Sequence, residues 1–597
     1  MRTIELHKKT HKGLQYALQM FRQAKLMHIV GLAIITGLFG GIGAVVFRFI
    51  IQLNNQLFFG IPTQILSTSI VVFIAPILGG LLIGQITSRV AWETKGHGVP
   101  EIMEAVTRGH GVIRPRVPFA KVIASGINIG SGGSCGREGP IAQIGAGFGS
   151  ILGVKMHLNE RELRTLVVAG VAAGIAATFN APLGGLLFGI ELILFGRLTS
   201  RAFIPLCLAV VTGMIVSTHF LGDKPAFVVP AYRLGQPIEL LFYLLLGLIC
   251  GLVSVGWIHS FYMIEDLFEK LPLRNALKPA LGGFFVGLIA LMGFPEVQGV
   301  GYETIEQAIT SNMLVETLLL LCIFKLIATA CTIGSGGSGG VFAPSLFIGA
   351  MLGAAYGHFV TILFPGTHSG AYAVVAMAAL FAGAARAPLT VIFMTMELTG
   401  DYLMILPLMG AVSLSYLVSA ALSGDNIYTL KLLRRGIDLL HHPQHQDALD
   451  IVKVEEAMRK KEETLYFHPN DTTEHIKTCY ASGKYVYKRY PVLDQENNHL
   501  LGLITLTQMM NAIEKDPTPE SKSIEDYMIK ESGVIVTYAD ETLHDALDKL
   551  ILYGVNSLPV LARKREKNSE FVGILSRTDI LVALEKYVSA PTDVEEE

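Results

Sequence analysis

Charge is what this chain has least of. Lys, Arg, Asp and Glu make up 16% of its 597 residues against 51% hydrophobic residues, and positions 326–385 hold none of the four. Soluble domains carry about 25% charged residues, so most of this sequence cannot clothe a water-facing surface. Formal net charge is −2, and the chain as a whole has no basic excess to argue for nucleic acid. The six cysteines (135, 207, 250, 322, 331 and 479) form no CxxC pair. Five lie in apolar sequence and read as small buried side chains, not disulfides or metal ligands. No HExxH occurs, and a membrane enzyme would need a nucleophile or metal constellation that is not expected here.

Glycine is what the chain has instead, with 62 residues. The stretch Gly130-Ser131-Gly132-Gly133-Ser134-Cys135-Gly136-Arg137-Glu138-Gly139-Pro140 is echoed at 334–344, ending Gly340-Val341-Phe342-Ala343-Pro344. A second echo sets Ala181-Pro182 and Glu191-Leu192 against Ala387-Pro388 and Glu397-Leu398. Two long halves therefore share one plan, offset by 204 to 206 residues. Gly/Ser runs are usually flexible linkers, but these sit inside apolar sequence. A phosphate-binding P-loop fails too, since no Lys-Ser or Lys-Thr follows the glycines. What remains is irregular backbone at membrane depth, tolerated only where protein buries it or a wet cavity borders it. Each copy runs from glycine loop into helix, pointing N–H groups and a positive helix end at an anion, as paired broken helices do in transporters.

Mean hydropathy is +0.49, and the average hides a split. Residues 27–436 read as a membrane domain, preceded by a basic segment 1–26 that the positive-inside rule places in the cytoplasm. The apolar span from Met27 is too long for a signal-peptide core and reads as retained. Uncharged spans at 62–88, 166–190, 202–222, 240–264 and 402–424 have bilayer-crossing length, and more than ten helices are expected in all. Tyr428 to Arg435 reads as the last membrane helix emerging on a basic, cytoplasmic side. Residues 437–451 form a polar linker whose His441, His442 and His445 read as solvated. The tail is a repeat of its own, 452–515 and 524–590, with Tyr490-Pro491-Val492 and Leu501-Gly502-Leu503-Ile504-Thr505 answered by Leu558-Pro559-Val560 and Val572-Gly573-Ile574-Leu575-Ser576. It reads as a soluble α/β pair.

Three ordered motifs, Gly96-His97-Gly98-Val99-Pro100, Gly136-Arg137-Glu138-Gly139-Pro140 and Gly340-Val341-Phe342-Ala343-Pro344, together with the tail repeat, resemble the CLC chloride channels and chloride/proton exchangers with C-terminal tandem CBS domains. The resemblance implies an α-helical polytopic domain of two inverted-topology repeats with broken helices, plus a soluble α/β CBS module. It implies a homodimer in a lipid bilayer, multi-pass in a cell membrane of the bacterial inner-membrane kind, with the CBS tail cytoplasmic. Each subunit would carry its own chloride pathway, bordered by His97, Gly98, Val99, Pro100, Gly136, Arg137, Gly340, Val341, Phe342 and Tyr428. The amides of Val341 and Phe342 would face the anion, Tyr428 would offer its hydroxyl, and Glu138 would be the gate. The plainer readings are a Glu138 paired with Arg137 and a Tyr428 anchored at the interface.

Chemistry agrees with the resemblance. Amide and phenol donors replace water around chloride without the full buried positive charge that would trap it. A carboxylate beside them mimics the anion until protonation removes its charge. Two departures stand out: His97 where the family usually has serine, and Leu192 where its exchangers commonly have a proton-relaying glutamate. Channel-like or weakly proton-coupled flux is therefore expected, the alternative being a stoichiometric antiporter with another internal acid such as Glu191. No cofactor is required for transport. In the CBS tail, Ser576 and Asp579 follow the family's ribose-binding pattern and Thr505 begins a copy that lacks the acid. An adenine nucleotide site and a purely structural pair both fit.

Overall fold

The computed structural model describes residues 2–196, 200–223, 236–310, 313–438, 452–472, 489–495, 499–505, 507–508, 523–530, 533–562 and 570–589, with 227, 229, 232 and 449, and side chains outside 2–26, 200–201 and 586–589. The linker histidines and Cys479 lie outside the described residues. The chain divides into two compact units, Met1–Ile437 and Asp438–Glu597.

The first unit is helical, and its first eight helices recur in order as its second eight. They are α1 (Arg2–Asn55), α2 (Thr68–Arg89), α3 (Val99–Thr107), α4 (Arg116–Gly130), α5 (Glu138–Lys155), α6 (Glu160–Phe179), α7 (Pro182–Phe188) and α8 (Ser200–Leu221). Their counterparts are α9 (Glu239–Lys270), α10 (Lys278–Leu291), α11 (Tyr302–Thr310), α12 (Val315–Gly334), α13 (Phe342–Leu363), α14 (Ser369–Ala385), α15 (Pro388–Thr399) and α16 (Ile405–Leu422), and α17 (Thr429–Arg434) closes the unit. Among the described residues, eight helices are long and apolar enough to cross a bilayer.

Small residues let these helices touch backbone to backbone. A Cβ on Gly80 would strike the Pro279 carbonyl, and one on Gly283 would strike the Pro76 carbonyl, so α2 and α10 interlock through both repeats. Gly145 of α5 and Gly170 of α6 press on each other's carbonyls in the same way. Without a hydrophobic driving force between helices in lipid, such close approach supplies the packing.

Two expectations need correction. The 166–190 span is two helices, not one. Asn180 ends α6 in the left-handed region at φ 55°, and Pro182, which has no N–H to continue the ladder, starts α7. The second half repeats the break with Arg386 at φ 55° before Pro388. Likewise α17 has only 6 residues, about 9 Å at 1.5 Å per residue, and cannot be a membrane span. Its basic end is held by acids: Lys431 pairs with Glu265 at 2.5 Å, Arg434 with Asp266, and Arg435 with Glu101 at 3.0 Å.

In the second unit, α18 (Val454–Ala457), α19 (Leu543–Leu552) and α20 (Arg577–Ser589) accompany two small sheets. One runs β1 (Arg459–Lys460), β7 (Glu570–Ser576), β6 (Ser557–Ala562), β5 (Thr537–Tyr538); the other runs β2 (Arg489–Leu493), β3 (Leu500–Thr505), β4 (Ile529–Lys530). The copies exchange their first strands: β1 of the first copy lies on β7 of the second, and β4 of the second on β3 of the first. Leu543, Ala546 and Leu550 bury the apolar face of α19 against Leu558, Val560 and Leu575.

Candidate anion pathway

The two glycine-rich loops are joined to each other. Gly136 N–H donates to the Gly340 carbonyl and Gly340 N–H to the Gly136 carbonyl, both at 2.7 Å. Gly96 N–H reaches the Gly337 carbonyl at 2.9 Å. Asn128 Nδ2 donates to the Ser338 carbonyl at 2.9 Å, and the Ser125 and Ser338 hydroxyls meet at 2.8 Å. Backbone groups that would be costly to bury unpaired are thus satisfied across the repeat boundary. The loops also spell Gly-x-Ser-x-Gly at 132–136 and 336–340. Ser134 and Ser338 are buried and bonded to Thr329 (3.0 Å) and to the Thr94 carbonyl (2.5 Å), however, not presented on an exposed strand-to-helix turn as a nucleophile.

Two lysines support this core, and sequence reasoning passed over both. Lys121 and Lys325 are fully buried. Lys121 Nζ donates to the carbonyls of Thr94 and Gly96, each at 3.0 Å. Lys325 Nζ donates to those of Val297 and Gly299, at 2.9 and 3.0 Å. They stand 204 residues apart, and their acceptors 203 apart, so each half staples the loop before one Gly-x-Gly with its own ammonium. A lone lysine recurring at the repeat offset was the available signal.

Glu138 is the first residue of α5 and is 1% exposed. Its Oε1 accepts the Tyr302 hydroxyl at 2.9 Å. Its Oε2 fills space that two glycines leave: a Cβ on Gly136 or on Gly340 would meet it. The Ala343 amide faces the same carboxylate. Because Gly136 and Gly340 spend their N–H groups on each other, they contribute room at the site and not donors. Val341 caps α13 and Phe342 begins it, and neither N–H has a backbone acceptor among the described residues. The Phe342 ring simply packs, 4.4 Å from Phe381 and 5.7 Å from Phe179 by centroids.

Opposite them, Gly98 (φ 89°) turns the chain into α3 where a Cβ would strike the Gly139 carbonyl. No residue but glycine fits there. That turn buries His97 to 3% exposure, with its ring 6.2 Å from Tyr428 and 5.0 Å from Phe261, and its Nδ1 has no partner among the described residues. Val99 and Pro100 are buried in the first turn of α3. Tyr428 is fixed from behind, its N–H bonded to Asn426 Oδ1 at 2.8 Å, while its hydroxyl bonds to no described residue. The structure therefore brings His97 and Tyr428 together. Arg137 does not join them: its guanidinium lies over Tyr302 at 5.1 Å and Phe179 at 5.4 Å, donating to the Thr178 carbonyl at 3.4 Å.

Leu192 is 2% exposed within a π-helical turn, Gly189–Ile193, that ends α7. Neighbouring Glu191 bonds to the start of α15 through Leu389 N–H (3.1 Å) and Thr390 N–H (2.7 Å). In the second unit, Asp579 accepts from the Ser576 hydroxyl at 2.6 Å and pairs with Arg459 at 2.9 Å. Gln508 takes the same place against Thr505 at 2.8 Å. Both patterns are N-terminal caps, which accounts for their recurrence without a ligand.

The sequence profile described as "Voltage gated chloride channel" matches residues 79–420, and the CBS domain profile matches 454–515 and 524–586. A ClcB-like chloride channel protein of Ralstonia nicotianae is 36% identical over 377 residues, 62% of this chain and 87% of that protein. The H(+)/Cl(−) exchange transporter ClcA of Salmonella schwarzengrund is 33% identical over 429 residues, 70% of this chain and 90% of the relative. Among solved structures, a slow cyanobacterial Cl−/H+ antiporter superposes with a TM-score of 0.63 at 28% identity, covering 69% of this chain and 97% of its own.

Proposed function

The chain belongs to the voltage-gated chloride channel family, and from that premise we propose that it passes chloride or similar small anions through a pathway in each subunit, gated by Glu138. The observation that carries the reading is the buried Glu138 carboxylate seated between the starts of α5 and α13. Helix N-termini favour negative charge, so an ionised Glu138 competes for the place of an anion. On protonation it loses the charge that holds it, and chloride takes over the free amides of Val341 and Phe342. His97 and Tyr428 supply donors on the other side. We further propose a homodimer with both the N-terminal segment and the CBS tail in the cytoplasm, and an adenine nucleotide at Ser576 and Asp579 as the one ligand the tail would take.

The flux is proposed to be channel-like or weakly coupled, because Leu192 can neither hold nor pass a proton. A stoichiometric exchanger is the second reading, favoured by relatives named as exchangers. A cavity of about 340 Å³ bordered by Glu93, Glu101, Glu104 and Gln143 offers it an alternative proton entry. Chloride flux from proteoliposomes across a pH series tests the gate. Glu138→Gln and Glu138→Ala are expected to abolish the pH response through this gate, and any residue of it should vanish with His97→Ser. An unaltered pH profile in Glu138→Gln would overturn the assignment.

A further inference from the structure

The second half's Gly-x-Gly loop has no part in the function proposed above, yet it ends on the gate. Gly299-Val300-Gly301-Tyr302 is the counterpart of Gly96-His97-Gly98-Val99, 203 residues on. Where the first loop delivers His97 to the anion side, the second delivers the Tyr302 hydroxyl to Glu138 Oε1 at 2.9 Å. We propose that Tyr302 is a latch, a positioning residue whose hydroxyl holds the ionised Glu138 in its closed place.

The loop is built to hold that hydroxyl still. Lys325 fixes the carbonyls of Val297 and Gly299. Gly301 (φ 87°) lies where a Cβ would enter the Phe347 ring. The Tyr302 ring has Arg137 on one face at 5.1 Å and Phe227 edge-on at 5.4 Å. A phenol so confined reaches Oε1 with little further ordering cost, and a hydrogen bond to a carboxylate is stronger than one to its neutral acid. The latch therefore favours the ionised, closed state and yields when the carboxyl is protonated. It rests on the gate reading of Glu138. The other groups facing that carboxylate are Arg137 at its own helix start, the Ala343 amide of α13, Lys325 of α12, Cys135 of the glycine loop and Tyr428. Arg48 of α1 faces Arg137 and Tyr302. Of the side chains among them, Tyr302 is the one with a direct hydrogen bond to the carboxylate.

The test is a four-way cycle of wild type, Tyr302→Phe, Glu138→Gln and the double variant, measured as chloride efflux from proteoliposomes against pH. Tyr302→Phe is expected to move the activation midpoint upward by roughly one to two pH units, the size of one hydrogen bond to a charged group. It should change flux by less than about twofold in the Glu138→Gln background, where no carboxylate remains to latch. A wild-type pH profile in Tyr302→Phe overturns the latch, as does an equal change in both backgrounds, which would mark a structural role. A pH profile left unaltered by Glu138→Gln instead overturns the gate and the latch with it. Should Tyr302→Phe fold poorly, Tyr302→Met removes the same hydroxyl and is read by the same criteria.

Discussion

Glu191 and Glu397 cap each other's helices across the repeat. Glu191 follows α7 and accepts from Leu389 N–H and from Thr390 N–H and hydroxyl, at 3.1, 2.7 and 2.7 Å, at the start of α15. Glu397, near the end of α15, accepts from Leu183 and Gly184 N–H at 2.9 and 2.8 Å, at the start of α7. Pro182 and Pro388 open helices whose first amides have no partner of their own, and each half supplies the carboxylate the other lacks.

Replacing Glu191 with Ala should therefore cost stability and leave ion coupling alone. Losing charge-assisted bonds to otherwise unsatisfied amides is expected to cost about 2–3 kcal/mol. Thermal melting of the detergent-solubilised protein reads the loss, and the proton-to-chloride ratio in proteoliposomes reads the coupling. A changed ratio at unchanged melting temperature would place Glu191 on a proton route after all.

Gly136→Ala should imitate loss of the gate. The new Cβ would occupy the place of Glu138 Oε2, the movable end of a side chain, so the carboxylate gives way before the backbone does. Gly136 is not among the residues with positive φ, so the substitution adds no backbone strain. Flux at alkaline pH is expected to rise about tenfold, a shift of ~1.4 kcal/mol in the closed-to-open balance. Alkaline flux that stays at the wild-type level would show that Glu138 does not depend on that space.

Much of the repeat architecture could be read from the residues, and the rest fails for definable reasons. Repeated loops and proline breaks are local and leave marks in order, so the two halves could be read directly, whereas His97, Glu138 and Tyr428 are named through the resemblance of their motifs to the CLC family. Pairing through space leaves no such mark. Nothing near Gly136 says that its amide is spent on Gly340, and nothing near Arg459 says that β1 joins the other copy's sheet. The 166–190 span misled because hydropathy is continuous across Asn180, where the backbone is not. Tyr302 was missed although Gly299 and Gly301 repeat Gly96 and Gly98, because the echo preserves the turn and changes the side chain it delivers.

Asp579→Ala should destabilise the second unit with or without nucleotide. Its Oδ2 holds the Ser576 N–H and hydroxyl at 2.9 and 2.6 Å, capping α20, and Oδ1 holds Arg459. The cap accounts for about 1 kcal/mol of the loss. The ion pair adds little, since the Arg459 side chain is 43% exposed. Melting of the 438–597 unit gives the stability. An ATP-, ADP- or AMP-dependent rise in melting temperature that Asp579→Ala abolishes would assign the carboxylate to a ribose as well, whereas no thermal shift at millimolar nucleotide would leave the pair structural.

Proton coupling is where relatives and residues disagree most. Antiport needs a path for protons from the cytoplasm to Glu138, which is buried in the middle of the fold. Leu192, at the family's relay position, is packed and apolar. Moving a bare charge through such surroundings costs several kcal/mol or more. Glu191 is no substitute: it points away from Leu192 by roughly a quarter of a turn, and its carboxylate is engaged by three donors at the start of α15. A carboxylate committed to capping that helix start is not free to ferry a proton onward. Of the acids bordering the cavity beside Gln143, Glu93 pairs with Arg114 at 2.8 Å and Glu101 with Arg435 at 3.0 Å. A chloride gradient imposed across proteoliposomes, with external pH recorded and potassium with valinomycin carrying the compensating charge, is therefore expected to drive chloride with little or no proton movement. Uphill proton transport at a fixed ratio to chloride would make the protein an exchanger. Water or the cavity beside Gln143 would then have to carry the proton past Leu192, and Gln143→Leu, which removes the buried amide between that cavity and Gly98, should uncouple it.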